Sequence, residues 1–332
     1  MQQPGRRIGG PAFAFSKGGT ELTEHVPAPT IAVHPHDDTR LTDAVTRGGG
    51  AVTSIDSARG LVWNGSPADF PHSLPAGIEW VQLPAAGIED WFTARVIERN
   101  PNVRFTSAAG AYAQSVAEHA VMLLLAGVRS LPEHLRSTTW RQQELAPTVG
   151  TLRGSTVAII GAGGIGRAII PMLAPLGAHT IAVSRSGCPV PGAVETYPVS
   201  ELDVVWSKVD HVVVAAPATP ATRHLIGAQE LARLKPTSWV VNIARGSLVD
   251  TEALVAALRN GTIGGAGLDV TDPEPLPDGH PLWSLPNAVV TPHDSNPPQH
   301  RLDAFADHVC ANVGRFGKGA ELLAPVDPVA GY

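Results

Sequence analysis

Three polar residues in the second half of the sequence have the side-chain types needed to bind an anion and move a proton. Arg245, Glu274 and His293 each follow a short apolar stretch that is typical of a buried strand. Ligands of open α/β sheets bind beyond the carboxyl ends of the strands, so these side chains are expected to meet at one sheet edge. A guanidinium can hold a carboxylate, and a carboxylate beside an imidazole can orient it as a proton donor. Taken singly, each residue also fits an ordinary surface or loop role.

A glycine-rich segment is a candidate dinucleotide site. Residues 161–166 match the G-x-G-x-x-G pattern directly after the apolar stretch Thr156–Ile160 and before an expected helix. This context permits a tight turn and brings helix N-terminal amides to a diphosphate. The predicted contact residues are Gly161, Gly163, Gly164, Ile165 and Gly166.

The end of the next expected strand indicates which dinucleotide is preferred. NAD sites of this type usually have an acidic residue there for the ribose hydroxyls, but no Asp or Glu occurs between Arg167 and Val194. Ser184, Arg185 and Ser186 suit a 2′-phosphate instead, so NADP(H) is favoured over NAD(H). The alternative is that Arg185 is an ordinary solvated loop residue.

The elements that must position these groups alternate between strand and helix in two series. In the first series we expect strands at Thr30–His34, Gly60–Trp63, Trp80–Leu83 and Val103–Phe105, with helices at Asp38–Arg47 and Trp91–Asn100. After a long apolar helix, Gln114–Arg129, the second series has six expected strands between Thr156 and Thr291. Its expected helices are Gly164–Leu173, Glu201–Val209, Gln229–Leu234 and Thr251–Arg259. This alternation predicts an α/β fold with two domains, each built on a doubly wound parallel sheet, the second of Rossmann type.

Composition limits the classes of function. A chain of 332 residues is long enough for two cores, and its net charge of -6 gives no reason to expect nucleic acid or an anionic membrane as a partner. The longest unbroken apolar stretch, Ala120–Val128, falls short of the roughly 20 residues that span a bilayer. Arg6 and Arg7 superficially suggest a twin-arginine signal, but Gly9 to Pro11 interrupt it. We therefore expect a flexible tail and a cytoplasmic protein.

Other polar groups favour structural roles. Cys188 and Cys310 match neither a disulfide framework nor a metal-ligand spacing. The segment His34–Asp38 contains two histidines and two aspartates but follows a strand as an ordinary loop would, so no metal site is expected. Glu118 and His119 are neighbours on the long helix, and we expect them to serve capping or packing.

From about Trp80 to about His300 the sequence resembles the D-isomer-specific 2-hydroxyacid dehydrogenase family, which includes glyoxylate/hydroxypyruvate reductases and phosphoglycerate dehydrogenases. Its motifs occur in the family's order: Ala85–Ile88, Val116–His119, the glycine pattern, Asn242 with Arg245-Gly, Asp269 with Glu274-Pro, and Pro292-His293. Two places depart from the family pattern. Glu89 stands where many members have Asp, and residues 294–298 are not the commonest continuation after the histidine.

The resemblance implies hydride transfer between NAD(P)H and the 2-position of a small 2-oxo or 2-hydroxy acid, such as glyoxylate or hydroxypyruvate. Arg245 would bind the substrate carboxylate, His293 would donate the proton to the carbonyl oxygen, and Glu274 would hold the imidazole. The backbone amides of Ala86 and Gly87 would bind the other side of the carboxylate. Further cofactor contacts would come from Ala216, Pro217, Ile243, Ala244 and Asp269.

The domain order implied by the resemblance is discontinuous. Residues 1–107 and 299–332 would form the substrate domain and residues 108–298 the cofactor domain, with hinges near Ala108–Gly110 and Ser295–Pro297. A homodimer is expected because subunits of this family usually pair through the cofactor domains, and the arm Leu131–Trp140 would reach across. Two alternatives stay open. One is a dehydrogenase for a bulkier or phosphorylated 2-oxo acid, and the other is a non-enzymatic dinucleotide sensor similar to the C-terminal-binding-protein corepressors.

Overall fold

A computed structural model of the protein describes residues 27–329 and Gly331, so the Arg6-Arg7 leader lies outside the described residues. The chain forms two separate sheets, one of five strands and one of seven, in which every strand pair is parallel. This confirms the predicted α/β class. Within residues 27–329, no helix is both long and apolar enough to cross a membrane.

The five-stranded sheet comes from the N-terminal part of the described chain and has the order β2-β1-β3-β4-β5. Its elements are β1 (Thr30–His34), α1 (Thr39–Arg47), β2 (Ala51–Val52), β3 (Gly60–Trp63), β4 (Trp80–Gln82), α2 (Glu89–Thr93), α3 (Val96–Arg99) and β5 (Arg104–Thr106). The single helix expected over Trp91–Asn100 is wrong. Arg95 adopts a left-handed backbone conformation with φ of 54°, which ends α2 and lets α3 begin in a new direction, with Trp91 and Val96 both buried.

A buried helix connects the two sheets. It is α4 (Ala113–Val128), followed by the shorter α5 (Leu131–Arg136) and α6 (Gln142–Leu145). A side-chain carbon at Gly127 would lie 2.2 Å from the Trp239 ring, so glycine lets the helix approach the second sheet closely. Leu123 and Leu124 of α4 are fully buried. Helix α4 is thus apolar around most of its circumference because it is enclosed on several sides.

The seven-stranded sheet has the order β12-β11-β10-β9-β6-β7-β8. Its elements are β6 (Thr156–Ile160), α7 (Gly164–Leu173), β7 (His179–Ser184), β8 (Glu195–Pro198), α8 (Leu202–Val205), β9 (His211–Val214), α9 (Ala228–Leu231), β10 (Trp239–Asn242), α10 (Thr251–Arg259), β11 (Gly265–Leu268) and β12 (Ala288–Val290). The prediction of six strands missed β8, an edge strand with no fully buried residue. Helices α8 and α9 are also shorter than expected.

The last helix, α11 (Pro298–Gly317), returns to the first sheet. Its residues Phe305, Val309 and Val313 are buried in one core with Leu41 and Val45 of α1. Beyond the helix, Pro325 forms an antiparallel bridge with Thr106 of β5. This packing supports the proposal that residues 299–332 belong with the N-terminal sheet.

Candidate active site

A cleft of about 520 Å³ lies where loops from both sheets face each other. The residues predicted to bind ligands that line it are Ala86, Gly87, Ile165, Ile243, Arg245 and His293. The loop Pro84–Gly87 enters from the carboxyl end of β4, and Arg245 and His293 follow β10 and β12. The structure therefore brings together side chains that are up to 207 positions apart in the sequence (from 86 to 293).

His293 and Glu274 form a hydrogen-bonded pair. The imidazole Nδ1 lies 2.6 Å from Glu274 Oε1, and the other carboxylate oxygen accepts from the Thr271 backbone amide at 3.3 Å. His293 has a left-handed backbone with φ of 54°, and its amide donates to the Asp269 carbonyl at 2.9 Å. Within the described part of the chain, Nε2 of His293 makes no hydrogen bond. The pair can therefore present Nε2 to a ligand while Glu274 fixes the ring.

The Arg245 side chain is held by groups from both sides of the cleft. Its Nη1 donates to the Ala244 carbonyl at 2.7 Å, and its Nε lies 3.2 Å from a carboxylate oxygen of Glu89. The turn that carries it is fixed by buried Asn242, which accepts from the Ala244 amide and donates to the Arg245 carbonyl. The guanidinium lies so close to Gly87 that a side-chain carbon there would be 1.5 Å from Nη2.

Asp269 organises the loop that carries His293. Its side chain is 1% exposed, and it accepts hydrogen bonds from the Thr291 hydroxyl at 2.6 Å and from the Asp294 and Ser295 amides at 3.1 and 3.2 Å. Burial alone would raise the pKa of this carboxyl, but these hydrogen bonds and nearby His119 outweigh it and leave the pKa lowered. The predicted contact of Asp269 with a nicotinamide amide stays a prediction.

Sequence reasoning missed the place of His119. Its Nε2 lies 2.9 Å from the Thr291 hydroxyl and 3.4 Å from Asp269, so the histidine belongs to the network behind the His293 loop. Ligand atoms of His119, Asp269 and Asp294 lie within 4.8 Å of one another. Because the Asp269 oxygens already accept three hydrogen bonds, the hydrogen-bond network accounts for this cluster, and we assign no metal to it.

The sequence also gave no signal for three further residues that line the cleft: Asn64, Tyr112 and Arg301. The Tyr112 hydroxyl donates to the Pro84 carbonyl at 2.7 Å, which ties the start of α4 to the loop after β4. Burial raises the pKa of Tyr112 to about 12, against a smaller opposing effect of the nearby Arg301 charge. Arg301 makes no ion pair within residues 27–329. Asn64 follows β3, Tyr112 precedes α4 and Arg301 lies in α11, so none of them belongs to a motif that predicts a ligand contact.

The glycine segment has the shape of a cradle for a diphosphate. Gly161 has φ of 102°, and a side-chain carbon there would lie 2.5 Å from the Ala216 amide nitrogen. One at Gly166 would lie 2.3 Å from the Gly161 carbonyl oxygen, whereas one at Gly163 would meet nothing within 4 Å. Space therefore remains at Gly163, beside the first turn of α7, where helix amides favour an anion. A dinucleotide fits this arrangement.

The loops at the neighbouring strand ends also lie at this edge of the sheet. Ser184 ends β7, and Arg185 and Ser186 follow it on the surface. The two serine oxygens accept from the Gly187 and Cys188 amides at 3.1 and 3.3 Å, so their hydroxyl hydrogens stay available to an acceptor. Across the cradle, Ala216 and Pro217 follow β9. Ile243 and Ala244 are buried in the turn before Arg245.

Comparison with known proteins places these features in a family. The model of the "D-isomer specific 2-hydroxyacid dehydrogenase, NAD binding domain" matches residues 120–295. An uncharacterized protein of Corynebacterium melassecola is 41% identical over 295 residues, covering 88% of this chain and 96% of that protein. A glyoxylate reductase of Thermococcus gammatolerans is 36% identical over 222 residues, covering 64% of this chain and 66% of its own.

Solved structures agree with this assignment. The NADPH-dependent glyoxylate/hydroxypyruvate reductase of Sinorhizobium meliloti, in complex with NADP and sulfate, superimposes with a TM-score of 0.72 at 26% identity. The similarity covers 92% of this chain and 100% of that chain. The family model describes a domain for a nicotinamide dinucleotide, and the glycine cradle fits one. The chain therefore belongs to the D-isomer specific 2-hydroxyacid dehydrogenase family, oxidoreductases that exchange hydride between a nicotinamide dinucleotide and a 2-hydroxy acid.

Proposed function

We propose that the protein reduces the 2-oxo group of a small 2-oxo acid with NADPH and forms the D-2-hydroxy acid. Glyoxylate and hydroxypyruvate are the proposed substrates. The observation that carries the proposal is the presence, in one cleft, of the Arg245 guanidinium, Gly87 and the Glu274-paired His293, next to a glycine cradle that fits a dinucleotide.

Each residue has a proposed role in this reaction. Arg245 and the backbone amides of Ala86 and Gly87 bind the substrate carboxylate, which aligns the 2-oxo carbon in the cleft. A nicotinamide dinucleotide held at the glycine cradle would supply the hydride for that carbon. His293 donates the Nε2 proton to the carbonyl oxygen, and Glu274 at 2.6 Å from Nδ1 stabilises the charged ring beforehand and keeps its orientation afterwards.

The cofactor is proposed to be NADP(H) rather than NAD(H). Ser184, Arg185 and Ser186 stand at the end of β7, where an acidic side chain would otherwise bind the ribose hydroxyls and repel a 2′-phosphate. Arginine binds phosphate in charge-assisted pairs, and the two serine hydroxyls can add hydrogen bonds. A solved relative with NADP bound supports the choice.

We also propose a cytoplasmic homodimer whose subunits have the two domains described above, a discontinuous substrate domain and a continuous cofactor domain. The apolar side chains Leu135 and Trp140, 77% and 89% exposed, lie on or near the expected arm and would be covered by a partner subunit. Nucleic acid and membranes are not proposed as partners, in line with the net charge of -6.

One observation favours a second candidate, a substrate with a longer anionic side chain. Arg301 lines the same cleft and has no ion-pair partner in the described part of the chain. A D-3-phosphoglycerate dehydrogenase of Mycobacterium leprae is 40% identical over 182 residues, although the chain spans 34% of that protein's length. Because the match covers only a third of that relative, we keep the small 2-oxo acids as the first proposal.

The test is a substrate and cofactor panel with the purified protein. Glyoxylate, hydroxypyruvate, phosphohydroxypyruvate and 2-oxoglutarate are each offered with NADPH and with NADH, and the loss of reduced nicotinamide is followed by absorbance. We expect the highest kcat/KM with NADPH and glyoxylate or hydroxypyruvate. Turnover confined to the two acids with a second anionic group would favour the second candidate. No turnover with any of the four acids would contradict the proposal.

A further inference from the structure

The Arg245 guanidinium is paired with a carboxylate that the proposed reaction does not use. Glu89 is the first residue of α2, in the loop that also carries Gly87. Its Oε1 lies 3.2 Å from Arg245 Nε, and its Oε2 accepts from Arg245 Nη2 at 3.4 Å. Both side chains are partly exposed, at 42% for Glu89 and 36% for Arg245, so water and solutes reach the pair.

The Glu89 side chain can reach Arg245 because it does not cap the start of its own helix. The N-cap of α2 is Ile88, and no side chain caps the helix. The Glu89 side chain is therefore free to extend across the cleft toward the turn after β10. An Asp at this position, as many family members have, would be one methylene shorter and would reach less far toward the guanidinium.

The Glu89 carboxylate and the Arg245 guanidinium meet at Gly87. A side-chain carbon on Gly87 would lie 1.5 Å from Arg245 Nη2 and 2.7 Å from Glu89 Oε2. The proposed reaction puts the substrate carboxylate between the Gly87 amide and the Arg245 guanidinium. Glu89 thus occupies the guanidinium donors that the substrate carboxylate needs, since Nη1 is directed at the Ala244 carbonyl.

We infer that Glu89 is an affinity-determining residue, an internal carboxylate that the substrate must displace from Arg245. This inference rests on the proposed function for the identity of the carboxylate site. Because one carboxylate replaces another, the exchange alone gains little free energy. A ligand that also presents a carbonyl oxygen to His293 displaces Glu89, whereas a plain carboxylate does so poorly. Glu89 therefore raises the Kd of every carboxylate ligand by one common factor, so that only ligands with a further contact, such as a 2-oxo group at His293, bind at low concentration.

The test compares Glu89→Gln with Asp90→Asn. Asp90 is the next residue and is exposed, so Asp90→Asn is a matched control that removes the same charge. Binding of oxamate and of propanoate to the protein with NADPH is measured by calorimetry, and KM and kcat are measured with glyoxylate. In Glu89→Gln we expect the Kd of both ligands and the KM to fall by about twofold to fivefold, the range for a partly exposed ion pair. The fold-change should be the same for propanoate and for oxamate, because both displace the same carboxylate. Asp90→Asn should match the parent protein.

A rise in Kd or KM in Glu89→Gln would overturn the inference, because it would mean that Glu89 positions Arg245 for the substrate. Equal values in Glu89→Gln and Asp90→Asn would overturn it as well, since only overall charge would then matter. Failure of the proposed function is distinguishable from both. In that case oxamate would bind and respond to Glu89→Gln, but glyoxylate and the other 2-oxo acids would not be reduced.

Discussion

Replacing Gly87 by alanine adds one methyl group at the point where the two sides of the proposed carboxylate site meet. In the structure this carbon would lie 1.5 Å from Arg245 Nη2 and 2.7 Å from its Cζ. Contact between a carbon and a nitrogen requires more than 3 Å, so the guanidinium must move by roughly 2 Å. The Gly87 backbone does not have positive φ, so an alanine there brings no backbone strain.

The size of the effect follows from that displacement. A shift of about 1 Å in a substrate-positioning group can cost roughly a hundredfold in rate, so we expect kcat/KM for glyoxylate to fall at least about a hundredfold, or about 2.7 kcal/mol. The loss should appear mainly in KM, because the displaced group binds the carboxylate before and during the reaction. Thermal stability should not fall, since Gly to Ala at an ordinary conformation stabilises a protein by about 0.4 to 1 kcal/mol through the unfolded chain.

The assay is steady-state kinetics with glyoxylate and NADPH, together with thermal unfolding of each protein. Gly314→Ala is the control, because a side-chain carbon at Gly314 in α11 would be at an ordinary 3.4 Å from the Gly48 carbonyl oxygen. A Gly87→Ala protein with kcat/KM within threefold of the parent would refute the placement of the substrate carboxylate between Gly87 and Arg245. If Gly87→Ala lowered both kcat/KM and Tm, the loss of activity would be due to misfolding instead.

Three further predictions address the proton donor, the cofactor and pH. His293→Ala should lower kcat by about a hundredfold to ten-thousandfold while the Kd of NADPH changes little, and near-parental turnover would exclude His293 as the proton donor. Arg185→Ala should reduce the NADPH-to-NADH ratio of kcat/KM by about tenfold or more, and Arg185→Asp should invert it; an unchanged ratio would contradict the cofactor proposal. Burial lowers the pKa of His211 to about 4, below the roughly 6.5 of the unfolded chain, so the unfolded state binds more protons between these values. Acidification from pH 6.5 to pH 4 should therefore cost up to about 3 kcal/mol of stability, and His211→Gln, measured by unfolding across this range, should lose that part of the pH dependence.

The parts of the fold that the sequence predicts well are those with a buried apolar pattern. Strands β1, β3 and β6 agree with their predicted bounds because each has at least three consecutive buried residues. Strand β8 was missed because it lies at the sheet edge and has no buried residue, so its sequence lacks an apolar pattern. The break between α2 and α3 depends on the left-handed conformation of Arg95, a residue type that gives no turn signal.

In the candidate active site, too, some residues could be predicted from the sequence and others could not. Arg245, Glu274, His293 and the glycine segment follow apolar strands, so their place at one sheet edge could be predicted. Glu89 and His119 could not be assigned, since their partners Arg245 and Asp269 are 156 and 150 positions away (245 less 89 and 269 less 119). Such contacts depend on how the two sheets face each other, and neither periodicity nor local spacing carries that information.

In the proposed reaction, hydride passes from the reduced nicotinamide to C2 of a 2-oxo acid in the cleft lined by Arg245 and His293. The most direct test is single-turnover reduction of hydroxypyruvate with NADPH that carries deuterium at C4 on the transferable face. We expect glycerate with deuterium at C2 and the D configuration. With His293→Ala we expect neither product nor label transfer on the same time scale. Glycerate without deuterium at C2, or the L enantiomer as the product, would contradict the proposed reaction.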